Sequence, residues 1–360
     1  MTNNIKYYFS PLPTQVKTNE YVNNFCERLV EKVNLINYGD KLRSRSLDYF
    51  VYSLKSDVAI LNWPEDVIFL RYGLLQTILT CLTFIIYKIR GKKIIWICHN
   101  KKSHKQKREF LSKVMREFFT QVADNIIVHS KDAVNYFKQK EKDIYYLPHP
   151  VYEITKRRPC NKTIGITDVL IWGNISRYKG LLEFLNYYKE GDFTFNVLII
   201  GKADPGYFNE LVKISEGTNV RIVDEFISEE DLADYFDCCK IIVLPYLDSD
   251  TFSSGALIHS LNSGKIVIGP NVGNFRDLNQ LNACLTYSNL KNLFSTINDL
   301  LVDNNFYEET VAKTANGAEL YYTTNSWPKF VDEIIAISDG IKGNKIKKSE
   351  NTLSHSNADS

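Results

Sequence analysis

The sequence predicts an α/β protein made of two parallel-sheet units in tandem. Three observations point there: short apolar runs alternate with longer helical patterns, the alternation restarts past residue 165, and the chain has 360 residues. A chain of that length exceeds what one hydrophobic core usually organises, so two domains of roughly 150 to 180 residues are expected. Strands covered by helices on both faces read as continuous apolar runs, which is the form these runs take.

In the first half the runs fall at Ile5 to Phe9, Val58 to Leu61, Lys93 to Cys98, Asn125 to His129 and Ile144 to Leu147. A polar, basic stretch from Thr155 to Thr167, containing Pro159, reads as the linker. New strands are expected at Asp168 to Trp172, Phe195 to Ile200, Val220 to Val223, Ile241 to Leu244 and Lys265 to Ile268. The expected division is therefore 1–155 and 156–325 for two Rossmann-like domains, 326–341 for a last helix, and 342–360 for a polar, disordered tail. Open α/β units bind ligands beyond the C-terminal ends of their strands, so residues at strand ends in the cleft become the candidates.

Composition narrows the field without choosing a function. The chain is 44% apolar and 24% charged, which excludes wholly disordered and collagen-like classes. Lys plus Arg number 44 against 42 for Asp plus Glu, and a net charge of +2 argues for no particular partner. The seven cysteines form no CxxC pair and no metal-ligand spacing, so reduced thiols and no metal site are expected. The start, MTNNIKYYFS, has no basic-then-apolar leader, and no run reaches the roughly 18 to 20 apolar residues that span a bilayer. A cytoplasmic protein is expected.

In the second half Gly173-Asn174-Ile175-Ser176-Arg177-Tyr178-Lys179-Gly180 follows a strand and opens a helix at Leu181. Glycine permits close backbone approach, a helix start favours anions, and Arg177 with Lys179 adds two cations, a combination suited to a diphosphate. An ordinary strand-to-helix turn with solvated basic residues accounts for the same spacing. A second such place follows Leu244-Pro245-Tyr246: the segment Thr251-Phe252-Ser253-Ser254-Gly255 heads a helix over Ala256 to Leu261. Its hydroxyls suit a pyrophosphate, although capping is the commoner role of Ser and Thr there.

The run from about Val169 to Leu278 resembles the donor-binding domain of GT-B glycosyltransferases. The resemblance rests on the Gly173 to Gly180 turn, Gly201-Lys202, Phe226-Ile227-Ser228 with the helix after it, the strand into Pro245, and Ser254-Gly255 leading to Gly264 to Ile268. Asn325-Ser326-Trp327 is similar to the motif that heads a final helix crossing back to the first domain. The resemblance implies two Rossmann-like domains facing each other across a cleft. It further implies donor contacts from Gly173, Asn174, Arg177, Lys179, Gly201, Lys202, Phe226, Tyr246, Thr251, Ser253, Ser254 and Gly255, with base selectivity set near Gly201 and Phe226. The large retaining family with this domain carries two glutamates eight positions apart, where this chain has Thr251 and His259. The T-x-S-S-G variant instead resembles bacterial exopolysaccharide and capsule transferases, and both stereochemical outcomes stay open.

In the first half Trp96-Ile97-Cys98-His99-Asn100, then Ser103-His104, places imidazole and amide groups past a strand, as the same transferases do. Three of the six histidines, His99, His129 and His149, stand at strand ends, where a histidine can take a proton from an acceptor hydroxyl or bind the transferred sugar, while a capping or core-satisfied imidazole, above all for His129, accounts for the same placement. Asn62-Trp63-Pro64-Glu65-Asp66 resembles a W-P-E loop. His99 and, second, Glu65 are the candidate catalytic groups; Trp63, Asn100 and His104 are the candidate acceptor contacts. Asp66 reads as a helix-start residue.

Positive charge concentrates at Lys88, Arg90, Lys92, Lys93, Lys101, Lys102, Lys105, Lys107, Arg108, Lys113 and Arg116. Beside it, Leu74 to Tyr87 reads as a buried helix. The basic run suits an anionic membrane surface; it lacks the interleaved aromatics of a nucleic-acid site. The leading expectation is an enzyme moving a hexosyl residue from a UDP- or GDP-sugar to a lipid-linked glycan in polysaccharide biosynthesis (exopolysaccharide, capsule or O-antigen). It would lie peripherally on the inner face of the membrane, with no metal or other cofactor. Asp248-Ser249-Asp250 has the spelling of a metal motif but reads as a donor-side loop. The alternatives are a catalytically silent subunit that binds nucleotide or glycan, and a nucleotide-sugar 2-epimerase of the same fold.

Overall fold

The computed structural model describes residues 5–16, 19–40, 44–101, 109–138, 142–152, 165–247 and 251–340. The expected linker at 155–167 falls mostly outside this range. The tail at 342–360, His104 and the Asp248 to Asp250 loop fall wholly outside it.

The first domain carries strands β1 (Lys6–Ser10), β2 (Asn34–Leu35), β3 (Val58–Asn62), β4 (Lys93–Cys98), β5 (Asn125–Val128) and β6 (Asp143–Tyr146). They form one parallel sheet in the order β2-β1-β3-β4-β5-β6. Its helices are α1 (Glu20–Val30), α2 (Arg45–Ser53), α3 (Gly73–Ile89), α4 (Glu109–Val122) and α5 (Lys131–Phe137). The second domain repeats the plan with β7 (Thr167–Trp172), β8 (Val197–Ile200), β9 (Val220–Val223), β10 (Cys239–Val243), β11 (Ile266–Pro270) and β12 (Leu285–Tyr287). Their order is β12-β11-β10-β7-β8-β9, again all parallel. Around them lie α6 (Leu181–Glu190), α7 (Tyr207–Ser215), α8 (Glu229–Asp237), α9 (Gly255–Leu261), α10 (Gly273–Gln280), α11 (Leu290–Val302), α12 (Asn304–Thr324) and α13 (Trp327–Ser338). The edge strands β2 and β12, two and three residues long, escape sequence reading because neither shows a period.

The two faces of the first sheet have different fates. One face, with α1 against it, belongs to a core cluster that also takes in Leu170, Leu198 and Leu257 of the second domain. The other packs under α2, α3, α4 and α5 in a core of Tyr49, Phe84, Trp96, Phe119 and Phe137. The final helix returns to the first domain: Ser326 caps it, Trp327 and Phe330 pack on Phe25 of α1, and the Ser338 hydroxyl meets Tyr7 Oη at 2.6 Å. Burial of Trp327, Phe330, Val331, Ile334 and Ile337 at this junction contributes about 1.5–3 kcal/mol per side chain.

The domains also clasp directly. Phe252 enters the first domain's outer core against Tyr136 and Phe137, Asp132 accepts from Gly273 N at 2.7 Å and pairs with Arg276 at 2.7 Å, and Asn100 bridges antiparallel to Thr251.

Three expectations need correction. The run Leu74 to Tyr87 is helical, but α3 is not a buried helix: Leu74, Leu75, Ile78, Leu82, Ile85 and Ile86 are exposed. Packing, which composition does not encode, decides which side of an all-apolar helix faces inward. The basic run is not one free patch: Lys88 pairs with Asp124, Lys92 with Asp57 at 2.5 Å, Lys93 donates to the Ser338 carbonyl at 2.5 Å, and Arg116 is buried. Finally, Cys26, Cys81, Cys98, Cys239 and Cys284 are free, whereas Cys238 is disulfide-bonded rather than a reduced thiol.

Candidate active site

The cleft between the two sheets holds two adjoining cavities of about 400 and 270 Å³. Asn19, Tyr152, Asn174, Lys179, Gly255 and Ala256 line both.

Lys179 forms the wall between them. β7 ends at Trp172, Gly173 turns at φ 96°, and a single 3-10 turn over Arg177–Lys179 brings the lysine back under the strand end. Glycine is required here twice. A Cβ on Gly201 would lie 2.0 Å from the Gly173 carbonyl, and one on Gly173 would lie 2.8 Å from Lys179 Nζ. The lysine is 6% exposed, its Nζ is 5.6 Å from the Tyr246 ring centroid, and among the described residues no carboxylate pairs with it. Burial lowers its pKa to about 8, so at neutral pH a buried cation stands in the cleft with no counter-charge among the described residues.

On the opposite wall His99 follows β4. Its Nε2 donates to Asn62 Oδ1 at 3.0 Å, which leaves the Nδ1 lone pair unused in that contact. The imidazole stacks on Trp63, with centroids 4.3 Å apart and planes at 21°; Trp63 adopts left-handed backbone geometry, φ 47°, to present its indole there. Burial, reinforced by His129 and His149, pushes the His99 pKa well below 6.5. The other two are neutral by the same cause. His129 donates from Nδ1 to the Leu147 carbonyl at 2.7 Å and accepts from Tyr21 Oη at 3.1 Å, with its pKa lowered to about 4. His149 donates from Nδ1 to the Pro150 carbonyl at 2.8 Å and its pKa is lowered to about 3. Tyr21 sets its ring against all three imidazoles, at 4.8, 5.6 and 5.0 Å.

The larger cavity gathers Trp63, His99 and Asn100 from the first domain with Asn174, Lys179, Tyr246, Thr251, Ser253, Ser254 and Gly255 from the second. The smaller gathers Gly173, Asn174, Lys179, Gly201, Lys202 and Phe226. Thr251 Oγ1 is buried with no hydrogen-bond partner. The Ser254 hydroxyl, by contrast, accepts from Leu257 N at 3.2 Å and meets Tyr246 Oη at 3.0 Å, so it serves as a cap.

Two expected residues stand elsewhere. Arg177 lines neither cavity: it is exposed, pairs with Glu210 at 2.5 Å and lies over the Tyr207 ring, because two residues along a 3-10 turn point to different sides. Glu65 also lines neither. The turn that presents Trp63 folds the next acidic residue inward, where it is 2% exposed beside Arg116, with Oε2 unpartnered and burial raising its pKa to about 7. Arg116 donates to the Asn100 carbonyl, so Glu65 sits behind the segment that bridges to Thr251.

Sequence reasoning passed over Asn19, Glu20, Tyr21 and Tyr152. Tyr21 reads as a core residue of α1, and Asn19 as its cap, which it is, accepting from Val22 N at 3.2 Å. His259 lines the smaller cavity with Glu20, Nδ1 to Oε2 3.7 Å. A carboxylate thus reaches that cavity from the first domain, although the second domain has none at position 259.

Residues 166–303 match the family model Glycosyl transferases group 1. The second domain is a group 1 glycosyltransferase domain. The fold of the whole chain agrees. Anabaena HepE, solved with UDP-glucose, aligns at a TM-score of 0.68 and 11% identity over 93% of this chain and 100% of its own. Sucrose-phosphate synthase from Thermosynechococcus elongatus aligns at 0.63 and 16% identity over 82% and 77%, and a glycosyltransferase from Rickettsia africae at 0.60 and 11% over 95% and 100%. No curated protein sequence matches the chain significantly. The glycosyltransferase domain lies with a second Rossmann-like domain in the GT-B arrangement, and Lys179 and Thr251 of the one face His99 and Trp63 of the other across the larger cavity.

Proposed function

We propose that the protein transfers a hexosyl residue from a UDP- or GDP-sugar to a lipid-linked glycan acceptor at the cytoplasmic face of a membrane, in the assembly of a polysaccharide such as an exopolysaccharide or capsule. The observation that carries this reading is Lys179, a buried cation at the junction of two cavities with no carboxylate partner among the described residues. A buried charge without a counter-ion is costly, and a ligand diphosphate supplies one. The smaller cavity then takes the nucleoside, with Phe226 offering a ring face and Glu20 a carboxylate for hydroxyl groups, and the larger takes the sugar between Thr251 and His99.

In the transfer, an acceptor hydroxyl oxygen bonds to the sugar's anomeric carbon as the bond from that carbon to the phosphate oxygen breaks. The electron pair leaves with the diphosphate, where Lys179 stabilises the developing charge. The acceptor proton passes to a base; His99 is neutral and keeps Nδ1 available for that proton or for a sugar hydroxyl. This assignment needs no divalent ion, so chelation with EDTA should leave turnover unchanged.

The test is incubation of the protein with radiolabelled UDP- and GDP-sugars and membrane extract. Label in the lipid fraction supports the proposal. Binding without turnover would instead indicate a silent subunit, and a free sugar-nucleotide isomer would indicate a 2-epimerase.

A further inference from the structure

The outer surface of the first domain carries an inverted helix. Along α3 the side chains turned inward include Thr77, Thr80 and Thr83, and those turned to solvent include Leu74, Leu75, Ile78, Leu82, Ile85 and Ile89, with Leu75 68% and Ile89 79% exposed. Neighbouring helices extend the apolar surface: Leu47, Phe50 and Leu54 are exposed on and just past α2, and Phe110 and Val114 on α4. Monomeric soluble proteins rarely expose a contiguous apolar surface of this kind. α3 is about 25 Å long at 1.5 Å per residue, and no helix among the described residues is long and apolar enough to cross a membrane.

Charge names the occupant. Residues 67–108 contain no Asp or Glu. Each end of the apolar surface has an exposed cation beside it in the chain: Lys55 next to Leu54, Arg71 next to Tyr72, Arg90 next to Ile89, and Lys113 next to Val114. Glu109 is the one exposed acid on α2, α3 and α4 among the described residues. Leu and Ile flanked by Lys and Arg complement an anionic bilayer, whose acyl boundary accepts the side chains and whose headgroups accept the charges. A second copy of this chain meeting the same face across a two-fold axis would bring those cations against each other.

We infer that α3, flanked by α2 and α4, lies in the plane of an anionic lipid bilayer with Leu75, Ile78 and Leu82 inserted below the headgroups. The apolar face begins next to the turn that carries Trp63 to the larger cavity, so docking through it presents that cavity to the membrane surface. The inference deepens the proposed reading and rests on it only for the position of the acceptor; vesicle binding and UDP binding fail independently.

The full chain is sedimented with vesicles of phosphatidylcholine alone and with added phosphatidylglycerol, and UDP binding is followed by calorimetry. Wild type should partition onto the anionic vesicles. Combined Leu75→Gln, Ile78→Gln and Leu82→Gln should lower partitioning about a hundredfold, with melting and UDP affinity unchanged. The single variant Leu75→Trp should fold as wild type and shift its emission to the blue on anionic vesicles only. Undiminished partitioning of the triple variant, no emission shift, or a wild-type dimer in sedimentation equilibrium that the triple variant dissociates would each overturn the inference.

Discussion

His99 stacks on Trp63 with centroids 4.3 Å apart while its Nε2 donates to Asn62 at 3.0 Å, so the ring is held on one face and one edge and only Nδ1 is left for a substrate. If that nitrogen acts on the acceptor or the sugar, His99→Ala should lower kcat by roughly two to four powers of ten. An imidazole in water would lose activity as pH falls through about 6.5. Burial moves the His99 pKa well below that, so the acid limb should appear at correspondingly lower pH and vanish in the alanine variant. A pH–rate profile with an unshifted limb near the ordinary value would contradict the assignment.

Lys179→Ala should cost roughly two to three powers of ten in kcat, as loss of a contact to developing charge does. Arg177→Ala should stay within a few-fold of wild type, because that guanidinium is committed to Glu210 at the surface. UDP affinity should weaken as pH rises past about 8 and free Lys179 loses its proton. Isothermal calorimetry in buffers of different ionisation enthalpy should then register proton uptake on binding. Equal losses in the two alanine variants would refute this division of roles.

Glu20 reaches the smaller cavity across the cleft, 3.7 Å from His259. Glu20→Gln should weaken UDP binding by about tenfold and leave inorganic diphosphate binding unaffected, since a hydrogen bond to a charged group is worth about 1.5–3 kcal/mol. Equal weakening of both ligands would place the carboxylate at the phosphates instead.

The three buried histidines make stability pH-dependent. All have folded pKa values below the unfolded value of about 6.5, reaching about 4 for His129 and about 3 for His149. As pH falls below 6.5 the unfolded chain binds protons that the folded chain refuses. Their contribution is complete above that pH and lost progressively toward the folded values, at about 1.4 kcal/mol per pH unit for each histidine. Urea unfolding between these limits should show that slope, and His129→Gln should reduce it by about one histidine's share.

Much of this protein was legible because parallel strands buried on both faces announce themselves. Val58 to Asn62 and Lys93 to Cys98 are nearly unbroken apolar runs, and the residues just past them, Trp63 and His99, inherit their place in the cleft from strand polarity alone. Gly173 and Lys179 were legible because they sit where a strand ends and a helix opens, and Gly201 only through the family resemblance. Arg177 and Glu65 were not, since each is one or two residues from a cavity residue and the local turn decides which way it points. Tyr21 left no signal at all: an aromatic on the apolar side of α1 looks the same whether it fills a core or braces three histidines.

The sequence by itself determined the two α/β units, their strand ends and the chemistry available there, because hydrophobic periodicity and turn residues act over short range. Only the tertiary structure decided which side of α3 meets solvent, that Glu20 crosses to the second domain's cavity, and that Lys179 is buried at the junction of the two cavities. Those outcomes depend on how separate elements pack against one another. An apolar helix carries no mark of which face its neighbours will cover.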